Sequence, residues 1–511
     1  MSPSNPLKRG KIEAKKPVLW YFYEANRNAM KLENINVTDT VEKAREMLKD
    51  TKNVPAELAP VFAMFSVLLT ILEILIARLG INSKNSSTAP SQDPFRAKTP
   101  HDKTNKKPGG QLGRVGKNLR PFENPDEIIK VPVDQTKLPS GHVYKIVGFT
   151  VRQVVEIHLS RHIKEYRLEI VENEKGKRFT AEGPMDVSRP VQYGASIKAM
   201  AVYLSIYQLI PYTRVEEYFR DQVRIPVSVG SLYNFNEEAF RLLEDFERIA
   251  KERLKVSGVL HKDETGINVN GKLYWLHGSL NNKWTIFMPH KKRGKEAMDD
   301  MDILPWFKGV AIHDHWWPYF RYTECQHALC NAHHLRELQA VVEKCAHQTW
   351  AQLMKVLLLE INKAVHEAGG ILTAEDADTY REKYRKILEI GDKECPLPPP
   401  PPEIQGKPKK RGKIKKTKER NLLERLKNYE AETLRFMGNI DVPFTNNPAE
   451  NDIRMTKVHQ KISGCFKSFK GAQIFCRVRS YLLTCQKNDI SATDALNILF
   501  SGKLPDFCTL P

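Results

Sequence analysis

Residues 256–290, VSGVLHKDETGINVNGKLYWLHGSLNNKWTIFMPH, decide the fold of this chain. They contain three apolar runs rich in β-branched and aromatic residues, and Asn270-Gly271 between the first two is a strong signal for a β-hairpin. A polar, helix-like segment (292–304) then leads to a fourth apolar run, FKGVAIHDHW at 307–316. Three antiparallel strands, a crossover helix and a fourth strand beside the first form a ribonuclease H-like order. We therefore expect an α/β core with a mixed sheet.

Two aspartates lie on these predicted strands. Asp263 lies within the first strand, and Asp314 lies at the end of the fourth. In the expected order the end of the fourth strand lies beside the middle of the first, so the two side chains should meet. Carboxylates are costly to bury, and at strand ends they usually face a cleft where they can hold hard cations. A third carboxylate, Glu450, would complete a magnesium site for phosphoryl transfer on nucleic acid.

Glu450 lies in NNPAENDIR, a sequence that predicts the first turn of a helix. Asn447 suits the N-cap, Pro448 the first helical position, and Glu450 the third, so Glu450 could simply complete a capping box. Arg454 and Lys457 follow on the same helix face. Cations beside a carboxylate suit a site that binds metal and phosphate, although the same spacing serves a surface ion pair.

The region after Asp314 allows a zinc site as an alternative. The candidate ligands are Cys325, Cys330, His333 and His334. Cys330 and His333 are three residues apart at the predicted start of a helix, so they could share one metal. Because no second matching pair follows at regular spacing, we expect instead a hydrogen-bonding pair that supports the catalytic strand.

The composition favours a polyanionic partner. The chain has 511 residues, with 80 Lys and Arg against 61 Asp and Glu, a net charge of +19. Such an excess suits nucleic acid, because each neutralised phosphate releases counterions, although it could also serve solubility alone. Eight cysteines without a disulfide-framework spacing, and no secretory leader, predict reduced thiols and a cytoplasmic, nucleoid-associated protein.

One apolar run, Val61 to Leu79, is nearly long enough to span a membrane. Glu73 and Arg78 interrupt it, and its leucines recur at helical spacing. We therefore expect a pairing helix between subunits and no membrane partner.

The remaining patterns divide the chain into segments of different character. Three helices are predicted over 191–254, the third over 229–254 with Ser228 as its cap, and they are compatible with a helix-turn-helix or with plain core packing. The expected segments are an N-terminal helical region (1–80), a basic flexible linker (81–126), a small β module (127–190), a helix-turn-helix-like region (191–254), the first part of the core (255–326), a helical insertion with a Pro/Lys-rich loop (327–440), and the second part of the core with C-terminal helices (441–511).

Five separated motifs occur in a recognisable order: HKDETG, WLHGSL, HDHWWPY, CNAHHLREL and NNPAENDIR. Together with LGINSKNSS, GGQLGRVGK and the stretch at 192–219, they resemble the transposases of the insertion sequence 66 family, over about residues 70 to 500. The chain departs from many relatives in lacking cysteines over 127–183, so no zinc finger is expected there. It also carries Thr445 where relatives usually have Asp.

The resemblance implies an Asp-Asp-Glu transposase with a ribonuclease H-like core and a helical insertion, in a multidomain, mainly α chain. Asp263, Asp314 and Glu450 would be catalytic and would hold two Mg²⁺ ions, for which Mn²⁺ can substitute. Cys330 and His333 match the family's Cys-x-x-His.

Arg336 matches the arginine after that motif, and Asn447, Arg454 and Lys457 are further candidates for support or for phosphate contacts. The implied reaction is cleavage at element ends and transfer of the 3′-hydroxyl into target DNA. Double-stranded DNA, further copies of the chain and small accessory proteins are the expected partners. A nuclease on the same fold and an inactive DNA-binding regulator are the alternatives.

Overall fold

The structure is a computed structural model, and it describes a defined set of residues. They are 31–32, 35–36, 44, 60–61, 64–69, 71–72, 119–184, 187–345, 347–397 and 416–509. Within these ranges no helix is long and apolar enough to cross a membrane. The described parts of 60–72 are helical and expose apolar side chains such as Phe65 and Leu68. Residues 73–118 and 398–415, which hold the rest of the predicted pairing helix, most of the basic linker and the Pro/Lys-rich loop, lie outside the described ranges.

A mixed sheet forms the core of the described structure, as predicted, and it has five strands. Its strands are β1 (Val259–Val269), β2 (Lys272–Leu280), β3 (Thr285–His290), β4 (Val310–His313) and β5 (Gln326–Leu329). The order is β3-β2-β1-β4-β5, with β1, β2 and β3 antiparallel and β4 and β5 parallel to β1. The predicted hairpin is present between β1 and β2, and Asn270 and Gly271 adopt the positive φ angles that its turn needs. The sequence patterns did not indicate β5.

The parallel pairing of β1 and β4 requires a glycine at position 309. Val310 pairs with Val259, and the amide of Val310 donates to the carbonyl of Gly258. A Cβ on Gly309 would lie 2.7 Å from the carbonyl oxygen of Ser257, closer than real Cβ contacts occur. The glycine therefore lets β4 start tightly against β1, and Asp314 emerges directly after β4.

Thirteen α-helices lie within residues 195–500 of the described ranges. They are α1 (Ala195–Val202), α2 (Tyr212–Tyr218), α3 (Val229–Leu242), α4 (Glu244–Lys255), α5 (Lys295–Asp300), α6 (Asn331–Lys344), α7 (Thr349–Glu367), α8 (Ala374–Glu394), α9 (Lys418–Asn428), α10 (Glu430–Leu434), α11 (Asn447–Ser463), α12 (Phe469–Lys487) and α13 (Ala492–Phe500).

Helix α12 covers the outer edge of the sheet. The amides of Thr285 and Phe287 on β3 donate to the hydroxyls of Thr484 and Ser480 at 3.0 and 2.8 Å. An exposed edge strand invites pairing with other chains, so these buried hydroxyls close the sheet on this side.

Helices α6 to α10 form a second hydrophobic core against β4. Trp350, Tyr384 and Leu423 are buried there together with Val310 and Ile312 of the strand. The helical character predicted for 327–440 is therefore present in its described parts, and α9 begins at Lys418 with Thr417 as its cap.

The helices before the sheet follow the prediction with one difference. Ser228 caps α3 by accepting a hydrogen bond from the amide of Ser231 at 3.1 Å. The pattern predicted one helix over 229–254, but the backbone leaves helical geometry at Leu243, and two helices result. Both halves bury apolar residues, including Phe235 and Phe246, so the bend lets each helix follow the core.

The segment predicted as a small β module differs from the prediction. The prediction rested on three runs of alternating apolar and polar residues, at 141–151, 152–159 and 165–172. Within these runs only Ile170–Glu172 is a strand, and it pairs with Arg178–Thr180. The apolar residues of the other two runs, such as Ile146 and Val154, are exposed. A two-stranded hairpin is marginal without a surface to cover, and nothing described in this segment buries these side chains.

Candidate active site

The structure brings the three predicted acids together beside the middle of β1. Asp263 lies in β1, Asp314 directly follows the parallel neighbour β4, and Glu450 lies near the start of α11, which packs on β1. Backbone amides of Glu264 and Trp316 donate to Asp263 and Asp314, each at 2.9 Å. These bonds fix the orientation of both carboxylates.

The start of α11 differs by one residue from the predicted cap. The helix begins at Asn447, so Asn446 is the capping residue and Glu450 is the fourth residue of the helix. The Asn446 side chain makes no hydrogen bond to the helix amides, and the described contacts of Glu450 are to other elements. The capping-box interpretation of Glu450 is therefore wrong, because its carboxylate points to α6.

Asn446 instead fastens α11 to β1. Its Nδ2 donates to the carbonyl of Lys262 at 2.8 Å, and its Oδ1 lies 2.8 Å from Nδ1 of His261. The pairing of β4 with β1 ends at His261, so the asparagine continues the hydrogen bonding where the strand diverges. The pattern of the chain did not single out Asn446, since Asn447 fitted the cap equally well.

The carboxylate of Glu450 faces three side chains of α6. Its Oε1 lies 4.0 Å from Sγ of Cys330, 3.9 Å from Nδ1 of His333 and 3.5 Å from Nη2 of Arg336. Sγ of Cys330 also accepts the amide of Asn446 at 3.1 Å. These three residues, which the sequence singled out, therefore surround Glu450.

The zinc set that the sequence left as an alternative does not assemble. Cys325 lies near the carbonyl of Tyr322, and Nδ1 of His334 bonds to Asn331. Among the described residues, the group whose ligand atoms all lie within 4.8 Å of one another is Cys330, His333 and Glu450. Burial lowers the pKa of His333 to about 4, so its imidazole is neutral at pH 7, and burial raises the pKa of Cys330 to about 11.

The other predicted supporting residues differ in their surroundings. Lys457 is partly buried and donates to the carbonyl of Gly266 on β1, so it helps hold α11 on the sheet. Arg454 and Asn447 are exposed. Their side chains are thus free of the core and can meet a ligand from solvent.

A fourth acid, Glu264, lies beside the aspartates. Its side chain is 2% exposed and pairs with Arg293 at 2.6 Å, and it also accepts from the hydroxyl of Tyr319. The guanidinium of Arg293 stacks on Trp316, whose amide holds Asp314. The polar neighbours of this acid come from distant loops, which is why the sequence pattern did not reveal it as part of the site.

Mutual repulsion and burial dominate the electrostatics. Burial, followed by the charges of Glu264, Asp314 and Glu450, raises the pKa of Asp263 well above its ordinary value. Burial likewise raises the pKa of Asp314, against the opposing charges of Arg293 and Arg425. The acids therefore interact, and they need additional positive charge to be ionised together.

Arg425 reaches this cluster from α9. Burial lowers its pKa to about 10, opposed by the charge of Asp314, and it pairs with Glu337. Its Nε is buried and has no hydrogen-bond partner among the described residues. The helical region between β5 and α11 thus supplies a cation to the carboxylates.

This donor set fits hard divalent cations. Carboxylate oxygens are the ligands that Mg²⁺ prefers, and a cluster that resists full ionisation gains most from a bound cation. Asp263, Asp314 and Glu450 come from three elements that Asn446 and the β1–β4 pairing hold together. Carboxylates in this arrangement could hold a metal ion, and the exposed Arg454 could contact an anionic group beside it.

Comparison with protein families gives one finding. A family model described as "Transposase IS66 family" matches residues 190–474, more than half of the chain. Among curated proteins, none matches the chain. The matched range contains the sheet, the four clustered acids and all their described partners.

Proposed function

The chain belongs to the IS66 family of transposases, and we propose that it cleaves DNA at the ends of its insertion element and joins the freed 3′-hydroxyl to target DNA. Membership in the family makes it a nucleotidyl-transfer enzyme that acts on DNA. The proposal adds the residues, the metal and the two reactions.

The clustering of Asp263, Asp314 and Glu450 carries this proposal. Burial and neighbouring charges raise the pKa of Asp263, so a bound cation would favour its ionised form, and oxygen donors select Mg²⁺ or Mn²⁺ over softer ions. Two such ions, when bound, would activate the attacking oxygen and stabilise the leaving oxygen of an in-line displacement. Asp263 and Asp314 would share both ions, and Glu450 would hold one.

The remaining side chains have roles that follow from their positions. Arg336 on α6 pairs with Glu450 and would orient it. Arg454 is exposed on α11, the helix that carries Glu450, and would contact the DNA phosphate. No covalent intermediate with the protein is needed. The thiol of Cys330, which lies 4.0 Å from Glu450, keeps its proton at neutral pH because burial raises its pKa to about 11.

The proposal extends to the fold and to the other segments. We assign the sheet and its flanking helices to a ribonuclease H-like core, with 327–440 as its helical insertion, following the domain division predicted from the sequence. The helices over 191–254 and the basic linker would bind element ends, and the leucine-rich segment near the N-terminus would pair subunits. Small accessory proteins remain expected partners.

A cleavage and joining assay tests this function. The full chain is incubated with Mg²⁺, a linear DNA that carries the terminal inverted repeats of the element, and a supercoiled target plasmid. Cleavage at the repeats and their joining to the plasmid support the proposal. Cleavage without preference for the repeats would indicate a nuclease, and binding without cleavage would indicate a regulator.

Matched variants locate the chemistry. Asp263→Asn should abolish both reactions, because one negative charge and one metal ligand are lost while the side-chain shape is kept. Asp441→Asn is the control, since Asp441 is exposed before α11 and makes no described contact with the acids. Equal loss of activity in both variants, or full activity of Asp263→Asn, contradicts the assignment.

A further inference from the structure

A second group of potential metal ligands lies beside the carboxylate cluster and has different ligand chemistry. The Sγ of Cys330, a ring nitrogen of His333 and a carboxylate oxygen of Glu450 all lie within 4.8 Å of one another. A thiolate and an imidazole are ligands for soft or borderline cations, and Mg²⁺ does not select them. This group is therefore chemically distinct from the all-oxygen site, although both would use Glu450.

The local structure holds the two soft ligands in place. Cys330 caps α6 and His333 lies one turn later, so both side chains project from the same end of the helix. The amide of Cys330 donates to His313 at the end of β4, and Sγ of Cys330 accepts the amide of Asn446. An amide donated to sulfur is an outer-shell contact of the kind that orients metal ligands.

A second observation points to a ligand at this position. Nδ1 of His333 is buried and lacks a hydrogen-bond partner among the residues that the structure describes. Buried ring nitrogens are normally satisfied, and an unsatisfied one needs an explanation such as an ion. The nitrogen lies 3.9 Å from Oε1 of Glu450, too far for a hydrogen bond but close to the spacing of two ligands on one metal.

The distances fit a tetrahedral zinc ion after a small contraction. Bond lengths of about 2.3 Å to sulfur and about 2.1 Å to nitrogen or oxygen put neighbouring ligand atoms about 3.4–3.6 Å apart. The observed separations from Oε1 are 4.0 Å to Sγ and 3.9 Å to Nδ1. Side-chain movements of about half an ångström would close these two gaps, Sγ and the ring nitrogen lie within 4.8 Å of each other, and water would fill the fourth position.

We propose that Cys330, His333 and Glu450 bind a soft divalent cation such as Zn²⁺, and that this binding inhibits the enzyme by withdrawing Glu450 from the Mg²⁺ site. The binding step stands on the geometry alone, whereas the inhibition rests on the catalytic role proposed above for Glu450. Arg336 contacts the same oxygen at 3.5 Å and would compete with the cation.

Cobalt binding tests the site without any DNA. The reduced full chain, freed of metals by a chelator, is titrated with Co²⁺, and the near-ultraviolet charge-transfer band of a thiolate–cobalt bond is recorded. The wild type should show the band. Cys330→Ser should lose it, and Cys465→Ser, which removes a partly exposed free thiol elsewhere, should keep it. A band that persists in Cys330→Ser, or no band in the wild type, overturns the proposal.

Two further variants guard against a misfolded serine variant. His333→Gln, at a partly exposed position, should weaken Co²⁺ binding at least about tenfold. Arg336→Gln should tighten it about threefold, because a competing cation is removed. If Cys330 and His333 served only the fold, neither variant would change the affinity for Co²⁺. Unchanged affinities in both variants would therefore count against the site.

Inhibition is measured by adding Zn²⁺ at constant Mg²⁺ to the cleavage assay, with each variant compared with its own uninhibited rate. Cys330→Ser should need at least about tenfold more Zn²⁺ for half inhibition than the wild type. Equal sensitivity overturns the inhibitory role. A chain that binds Co²⁺ as expected but never cleaves DNA counts against the proposed function and leaves the metal site supported.

Discussion

Replacement of Asn446 by alanine should both destabilise the core and slow the reaction. The side chain is buried and forms two hydrogen bonds to β1, one to the carbonyl of Lys262 and one with His261. Alanine keeps the backbone amide that Cys330 accepts, so the change removes only the connection between α11 and β1.

The magnitude follows from those two bonds. Each contributes about 1 kcal/mol net, and the truncation also leaves the buried ring nitrogen of His261 and the Lys262 carbonyl without this partner. We expect a loss of about 2–4 kcal/mol in the free energy of unfolding. Glu450 follows on the same helix, and a displacement of about 1 Å at a reacting group can cost about a hundredfold in rate.

Urea unfolding and single-turnover cleavage measure the two effects. Asn447→Ala is the matched control for stability, because the neighbouring asparagine is exposed and should change the free energy of unfolding by less than about 0.5 kcal/mol. If Asn446→Ala unfolds at the wild-type urea concentration, the side chain does not hold α11 on β1. If it is destabilised but cleaves at the wild-type rate, its link to Glu450 is wrong.

Three further predictions concern the sheet and the charges within it. Gly309→Ala should lower the free energy of unfolding by about 2–3 kcal/mol, because its Cβ would meet the carbonyl of Ser257. Gly148→Ala, at a position where a Cβ meets nothing, should be neutral in the same thermal unfolding experiment, and equal effects would contradict the close approach. Lys262 is fully buried without a carboxylate partner, and burial lowers its pKa to about 8, so the stability of the folded state should increase as the pH rises from about 8 to about 10.5. Lys262→Met should abolish this increase and raise the free energy of unfolding by about 3 kcal/mol at pH 7. A variant no more stable than wild type would contradict the burial penalty. Because the pKa of Asp263 is raised in the folded state, the metal-free protein should lose stability as the pH rises through the folded-state pKa of this carboxyl, while its affinity for Mg²⁺ increases. Calorimetry in two buffers should detect proton release when Mg²⁺ binds. The absence of proton release would contradict the clustering of the acids.

Much of the fold could be predicted because its signals are local. The hairpin turn at Asn270-Gly271, the alternation of β1 and β2 and the apolar run of β4 identify the strand order that brings Asp314 beside Asp263. The short strand β5 could not be recognised, since QHAL has neither alternation nor a flanking turn signal. Its pairing depends on β4 being present beside it.

The predictions were least accurate where the structure depends on contacts between distant residues. In the sequence, Glu264 looks like an ordinary strand residue, because its partners Arg293 and Tyr319 come from separate segments and contact it only in the folded protein. Asn446 and Asn447 are indistinguishable in sequence, and only the end of β4 decides which one bonds β1. Arg425 comes from a helix 111 residues after Asp314 and carries no motif.

A change of metal specificity tests the central claim, that Asp263 is a ligand of the catalytic metal, most directly. Asp263→Cys replaces the carboxylate by a thiol, which Mn²⁺ accepts more readily than Mg²⁺. Cleavage at element ends is measured in each metal for the variant and the wild type. The account predicts that Asp263→Cys is inactive in Mg²⁺ and regains cleavage in Mn²⁺, which raises its Mn²⁺/Mg²⁺ rate ratio far above that of the wild type. Wild-type cleavage by the variant in Mg²⁺, or an unchanged ratio, would contradict it.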